Sequence, residues 1–494
     1  MNAEVLAFVL YFVLMLAIGV LFFFKEKGAG EKEYFLGGRH MGPWVTAMSA
    51  QASDMSAWLL MGLPGLAYFT VGFGQIWIGI GLAIGTIANW IIVARRLRCF
   101  SEAANDSITL PQYLSNRFAT KSLTLQIICA VIFLVCFTIY VASAFVSGAT
   151  VFTTVFPSLS NQTAMLIFAA IMILYTFLGG FKAVCWTDFF QGLLMLVAVL
   201  AIPIMIVATE QLDTGLLSKV IVGNDGTEYA FGSSLFTASW KDIASGLAWG
   251  LGYFGMPHII VRFMSIEKAS MVKKSATVAI IWVILSLGSV CLIAYFGRML
   301  VAEELLANGM QKTIFITLAR RLFPAFIAGV LLAAIMAASM STADSQMLAA
   351  ASSVSQNILQ EFGHLKLSEK QSLFAARLTI ICVSVVGVVL ARDPDSSVFG
   401  IVSFAWAGFG GSFGAVVLCA LFWKRCNWQG ALAGMLCGGL MVFVWKYIVS
   451  PLGGVFGIYE LLPAFLVSLA VCAVVSLVTP APTEDILAEF DAAK

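Results

Sequence analysis

Long apolar runs separated by short polar breaks dominate this sequence. Val5 to Phe24 contains no charged residue, and because a helix needs roughly 20 apolar residues to cross a bilayer, the run predicts a spanning helix. No basic segment precedes it and no small-residue cleavage site follows, so it is expected to remain as a span rather than act as a signal peptide. Applied along the chain, the same criterion predicts about thirteen spans, near residues 3–24, 43–70, 72–94, 124–154, 161–180, 184–209, 239–261, 275–297, 324–358, 371–391, 397–423, 428–449 and 455–479. The stretches 95–122, 210–238 and 298–323 are too short for soluble domains and read as loops. In the last of these, the spacing of Leu305, Leu306, Ile314, Phe315 and Leu318 predicts an amphipathic helix lying across the extracellular surface.

Two spans carry residues that disfavour a continuous helix in lipid. "ASDMSAW", Ala52 to Trp58, is followed by "GLPG", Gly62 to Gly65, and "SGLAWGLGYFGMPH", Ser245 to His258, holds four glycines and Pro257. Backbone groups freed by a helix break must find partners in hydrocarbon. Paired breaks at corresponding places in two halves point to an inverted-repeat transporter with its site near the membrane midplane. The expectation is an all-α polytopic membrane protein: a leading helix and loop over 1–42, five-helix repeats over 43–209 and 239–423, and two further helices with a short tail over 424–494. The plainer alternative is that the glycines only let helices pack closely.

Composition agrees with a membrane protein, since 61% of residues are hydrophobic and 11% charged, outside the range of soluble domains. The net charge of +2, with basic residues dispersed through loops, argues against a nucleic-acid partner. Ten cysteines, mostly in apolar runs without CxxC or Cys/His pairing, read as small hydrophobes, so neither a disulfide nor a transition-metal site is expected. Most of the 28 Lys and Arg residues sit in alternate loops, and the positive-inside rule makes that side the cytoplasm. The N-terminus is then expected outside and the C-terminus inside, in a multi-pass protein of the cell's inner (plasma) membrane.

Four strings, "ASDMSAWLLMGLPG", "YTFLGGFKAVCWTD", "WGLGYFGMPHII" and "MSTADSQML", carry a resemblance. The chain resembles the sodium/solute symporter family over nearly its whole length, most closely the members that carry proline. The resemblance implies a five-plus-five helix core of the sodium-coupled amino-acid transporter type, with Na+ as the coupling ion. It also implies symport of L-proline into the cytoplasm, no enzymatic activity and no obligate protein partner. Ala57 and Met256 stand where Gly and Gln would be expected in a proline carrier. That leaves open another small solute, such as a different amino acid, pantothenate or another organic acid.

Ala338, Ser341, Thr342 and Ser345 are spaced i, i+3, i+4, i+7 and share one helix face. By resemblance, the carbonyls of Ala52, Met55 and Ala338 and the hydroxyls of Ser341 and Thr342 form the sodium site, an oxygen cage suited to a hard cation. The alternative is that these hydroxyls bond their own helix or a neighbour. Asp54 at mid-span costs at least about 2.5–3.5 kcal/mol, so it is expected to face a cavity, a partner or an ion. It is read either as the coupling charge near sodium or as a structural cap on the second half-helix.

Trp249, Tyr253 and Pro257 follow an i, i+4, i+8 pattern. Together with Ser56, Trp58 and Tyr140 they resemble a solute pocket in which aromatic faces pack a ring and freed N–H groups receive a carboxylate. Aromatics near helix ends are otherwise interfacial anchors. Asp188 with Ser345 is a candidate second cation site and Arg39 a candidate gate on the cytoplasmic approach; solvation of a helix end is the alternative for Asp188. An intramembrane aspartyl protease built on Asp54 and Asp344 would call for a GxGD motif, which the sequence lacks. A solute sensor without transport finds no signalling domain in this sequence to speak for it.

Overall fold

The computed structural model describes residues 2–25, 31–120, 123–178, 180–392 and 397–492. Lys27, Lys121 and Lys494, counted among the cytoplasmic charges, lie outside them. Within the described residues, ten helices are long and apolar enough to cross a membrane, from Ala3–Phe22 to Leu461–Val478. The remaining expected spans fall on the 18-residue helix Asn161–Leu178 and on two segments that are not continuous helices.

The first of these segments starts with Pro43, whose fixed φ suits a first helical turn, and runs as a helix over Pro43–Met55. It stops at Ser56, whose φ of 46° and ψ of −175° no helix accommodates. The chain resumes as a wide-turned helix over Trp58–Phe69 with Pro64 inside it, where the missing N–H removes a ladder bond. The second segment starts at Trp240–Ala248 behind a reciprocal Ser239/Asp242 capping box. It tightens to 3₁₀ geometry over Trp249–Gly255. After the extended residue Met256 it restarts at Pro257 as Pro257–Ser265.

The glycines serve close packing as well as the breaks. A Cβ on Gly85 would stand 2.3 Å from the Gly250 carbonyl oxygen, and one on Gly250 would stand 2.3 Å from that of Gly81. The helix Ile76–Ala88 therefore lies backbone to backbone against the second broken helix.

The expected surface helix within 298–323 is corrected. The chain forms two short helices there, Ala302–Ala307 and Ile314–Leu322, and Leu305, Leu306, Ile314, Phe315 and Leu318 are at most 1% exposed. Their apolar face packs onto the protein, leaving none for lipid. Ion pairs Arg320–Glu4 (2.6 Å) and Arg321–Glu210 (2.8 Å) hold the segment down. At the other end of the chain, the helix Glu484–Ala492 buries Phe490 beneath the Arg117 guanidinium, 4.6 Å from the ring centre.

Gly250→Val would overpack the contact with Gly81 and Gly85. Overpacking of this kind typically costs about 1–3 kcal/mol, so the thermal unfolding midpoint of the purified protein is expected to fall by several degrees. Gly288→Ala, at a helical position with nothing within 4 Å of the added Cβ, is expected to leave the midpoint unchanged or raise it.

Candidate ion and solute site

The Ser341 hydroxyl donates to the Ala52 carbonyl at 2.8 Å and lies 3.3 Å from the Ala338 carbonyl. One hydrogen-bond network thus unites three of the five expected sodium ligands and joins the first broken helix to the unbroken helix Ala325–Ser352. Thr342 is buried on the same helix, and its Oγ1 has no hydrogen-bond partner among the described residues. Met55, also buried, is the last residue before the break, where a helix leaves its carbonyls without intrahelical donors. The donor set is oxygen alone, with a spare hydroxyl, and fits a hard monovalent cation.

Asp54 is buried, and its Oδ2 accepts a 2.6 Å hydrogen bond from the Tyr253 hydroxyl. It therefore ties one broken helix to the other. Tyr140 faces Ser56 and Asp54, while the Ser56 hydroxyl accepts from the Trp58 N–H at 3.1 Å.

The aromatic side chains close over this point. Trp58 stacks on Trp249 with centroids 5.2 Å apart, Trp249 stacks on Tyr459 at 5.0 Å, and Phe399 lies 6.1 Å from Trp58 and 5.7 Å from Trp249. Tyr253 meets Trp406 edge-on at 5.1 Å, and the Trp406 indole donates to the Trp249 carbonyl at 2.8 Å. Rings at such separations are in direct contact, so a solute entering between Trp58 and Trp249 must part them. Pro257 is not on their face, because the extended residue Met256 interrupts the helical register. It lines a separate cavity of about 30 Å³ together with Arg262, Ser345 and Phe181.

Asp188 and Ser345 do come together, through a residue the sequence reading left out. The Arg262 guanidinium bonds Asp188 Oδ2 at 2.9 Å and Ser345 Oγ, its Nε donates to Ser49 Oγ at 2.8 Å, and Ser49 donates to the same Asp188 oxygen at 2.7 Å. A protein cation therefore occupies the place expected for a second bound cation. Asp188 Oδ1 and Asp344 Oδ2 have no partner among the described residues. Arg262 was missed because the predicted span ended at residue 261, which turned it into a loop charge. It lies inside the helix Pro257–Ser265 and is 1% exposed, and a buried charge calls for a partner.

Arg39 sits apart from this cluster. It donates to Asp106 Oδ1 at 2.7 Å, to Ser101, and to the carbonyls of Ser107 and Met264, pinning the approach loop to the end of the second broken helix. Partial burial would raise the Asp106 carboxyl, but hydrogen bonds from Lys32 and Arg39 outweigh it and hold the group below its usual range. A depressed carboxylate keeps such a contact charged until pH falls below that range. Phe399, Trp406 and Tyr459 were also missed, since aromatics in apolar runs carry no signal separating a pocket wall from core.

The pattern of the sodium:solute symporter family matches residues 34–438. The chain belongs to the sodium:solute symporter family. It is 41% identical to the sodium/proline symporter of Haemophilus influenzae over 500 aligned residues, covering 100% of this chain and 98% of the relative. It is 40% identical to the high-affinity proline transporter PutP of Bacillus subtilis, with 97% and 98% covered. Among solved structures, a substrate-bound, outward-open Na+-coupled sialic acid symporter superposes with a TM-score of 0.76 at 18% identity, covering 98% of this chain and 99% of that one. Mhp1 in a closed conformation superposes with a TM-score of 0.51 at 13% identity, covering 93% and 98%. The likeness to these two establishes the fold, the inverted-repeat architecture of sodium-coupled transporters. This symporter is a multi-pass membrane protein, and its family consists of transporters rather than enzymes.

Asp188→Asn would take from the buried Arg262 the carboxylate it bonds directly, leaving Asp344 as the remaining carboxylate of the cluster; breaking a buried pair costs up to about 3–5 kcal/mol. The thermal midpoint is expected to drop sharply in the single variant and to recover in large part in Asp188→Asn/Arg262→Met, as a double-mutant cycle of unfolding would read.

Proposed function

We propose that this symporter imports L-proline into the cytoplasm, driven by sodium. The link from the Ala52–Ser341 contact through Asp54 to Tyr253 and the aromatic stack carries the reading, because it connects an oxygen cage to a solute pocket within a few residues. The solute follows from the proline carriers to which the chain is 40–41% identical over nearly its full length.

In this reading sodium lies among the carbonyls of Ala52, Met55 and Ala338 and the hydroxyls of Ser341 and Thr342, and it holds the first broken helix against the Ser341 helix. Asp54 in the same turn adds negative charge and, through Tyr253, sets the second broken helix. Trp58 and Trp249 part to take the pyrrolidine ring between aromatic faces, with Tyr140 alongside. N–H groups freed at the Ser56 break receive the carboxylate, and the secondary ammonium lies against a ring face. The five-helix repeats span 43–209 and 239–423, with the N-terminus outside and the C-terminus inside. Arg39 and the Arg262–Asp188 pair keep the cytoplasmic path closed until the solute is bound.

One sodium suffices energetically. Falling through ~100 mV it releases about 2.3 kcal/mol, and a tenfold gradient adds about 1.4 kcal/mol. The sum supports accumulation on the order of several hundredfold.

Radiolabelled L-proline uptake into proteoliposomes tests the proposal. Accumulation is expected with an inward sodium gradient and not with potassium, falling at least about tenfold in Asp54→Asn, which loses a charged hydrogen-bond acceptor. Ser341→Ala is expected to raise the sodium concentration needed for half-maximal uptake. Uptake of another solute that excess proline leaves untouched would overturn the assignment and point to the buried residues Ala57 and Met256 at the two breaks.

A further inference from the structure

The last described helix, Glu484–Ala492, is docked on the body of the protein, and one ring does most of the holding. Phe490 is 2% exposed. Its ring meets Phe100 edge-on at 5.2 Å, and the guanidinium groups of Arg117 and Arg96 lie 4.6 and 5.4 Å from its centre. Asp491 pairs with Lys424 at 2.6 Å, but both side chains are nearly half exposed, and an exposed ion pair contributes little. The connector from the preceding helix, which ends at Val478, carries Pro480 and Pro482 and cannot continue that helix. The docked helix is therefore a separate piece with a single buried anchor.

The anchor sits where the two proposed repeats meet. Arg96 and Arg117, both in the first, donate through Nε to the Leu421 carbonyl at 2.6 Å and the Ala420 carbonyl at 3.0 Å. These carbonyls belong to the last turn of the helix Ala415–Phe422 in the second, where intrahelical donors run out. Arg96 and Phe100 stand one turn apart on the helix Ala94–Ala103. On the opposite side of that helix, Arg98 donates to the Ile266 and Glu267 carbonyls at 2.5 and 3.0 Å, and Ser101 accepts from Arg39, which also holds the Met264 carbonyl. Residues 264–267 are the end of the second broken helix and its exit. The helix Ala94–Ala103 thus has the Phe490 anchor on one side and the fastening of a broken helix on the other. It joins its spanning helix through the wide-turned segment Asn89–Val93, the kind of place where a long helix bends.

We propose that the helix Glu484–Ala492 is a strap on the cytoplasmic gate. Phe490, seated between Arg96 and Arg117, keeps the helix Ala94–Ala103 where Arg98 and Arg39 fasten the end of the second broken helix, and withdrawal of the ring frees that end to move. The inference rests on the proposed gate and not on the identity of the solute.

Cys185 reports the gate without any solute, because its thiol is fully buried beside Ser49, Asp188 and Arg262. Cys291, beside Tyr68, serves as the control, since it stands roughly 28 Å along the helix Val272–Leu300 from its start. The purified protein is alkylated with N-ethylmaleimide in sodium-free buffer, and each modified cysteine is quantified by mass spectrometry. Modification of a buried thiol follows the population of the open form. Phe490→Ala is expected to raise the rate at Cys185 at least about threefold and to leave Cys291 unchanged, and deletion of residues 483–494 is expected to do the same; should the deletion not fold, Phe490→Ala decides alone. Sodium-free efflux of L-proline from preloaded proteoliposomes should rise in parallel. An unchanged rate at Cys185, or an equal rise at Cys291 that marks general loosening, would overturn the strap. Absence of L-proline efflux from the wild type as well would count against the solute alone, with the Cys185 comparison still deciding the strap.

Discussion

Hydrocarbon offers a peptide group no hydrogen bond, so every N–H and C=O released from a helix within the membrane must be met by the protein itself or by cargo. Two helices of this chain are interrupted, and the surrounding side chains read as the answer to that demand. The Ser56 hydroxyl takes the Trp58 N–H, Asn89 donates to the Tyr253 carbonyl at 3.0 Å, the Trp406 indole takes the Trp249 carbonyl, and Ser341 takes Ala52. Three of these contacts are fixed repairs. The fourth is made by a rotatable hydroxyl beside an unpartnered one, Thr342, and it can give way to a cation without leaving the carbonyl bare.

Buried charge follows the same logic. Asp54 faces a neutral tyrosine hydroxyl, which leaves its charge available to an ion nearby. Asp188 faces Arg262 at hydrogen-bond distance, so its charge is already answered. Two buried carboxylates of identical chemistry thus differ in what stands opposite each. Retaining an ionic pair where apolar side chains would pack as well fits a contact that must come apart and re-form.

Much of this was legible in the residues. Apolar run lengths located the helices, because crossing a bilayer imposes a length on any sequence. The two breaks were visible because Gly, Pro and Ser-Asp combinations oppose helix directly. The i, i+3, i+4 spacing brought Ala338, Ser341 and Thr342 to one face because that helix is continuous, and the same arithmetic failed for Pro257 because Met256 resets the register. Arg262 was hidden by a boundary drawn four residues early, at 261 where the helix runs to Ser265. The partners Phe399, Trp406 and Tyr459 come from segments distant in sequence, and one chain without its packing holds no sign of which aromatic side chains will meet. The helices at 302–322 were mistaken for interfacial ones because an amphipathic pattern looks the same whether its apolar face meets lipid or protein.

Tyr459 belongs to neither proposed repeat, yet it stacks on Trp249, donates its N–H to the Ser245 hydroxyl oxygen at 3.0 Å and donates its own hydroxyl to the Ser403 carbonyl. All three of these contacts fall on the second half of the molecule. Two halves related by a perfect two-fold rotation in the membrane plane would give outward- and inward-facing conformations of equal energy, and the carrier would rest on either side of the membrane with equal frequency. A clasp attached to one half alone removes that degeneracy. Each 1.4 kcal/mol of imbalance multiplies the preference for one resting state about tenfold, so contacts confined to one of the proposed halves would be enough to set a preferred resting side.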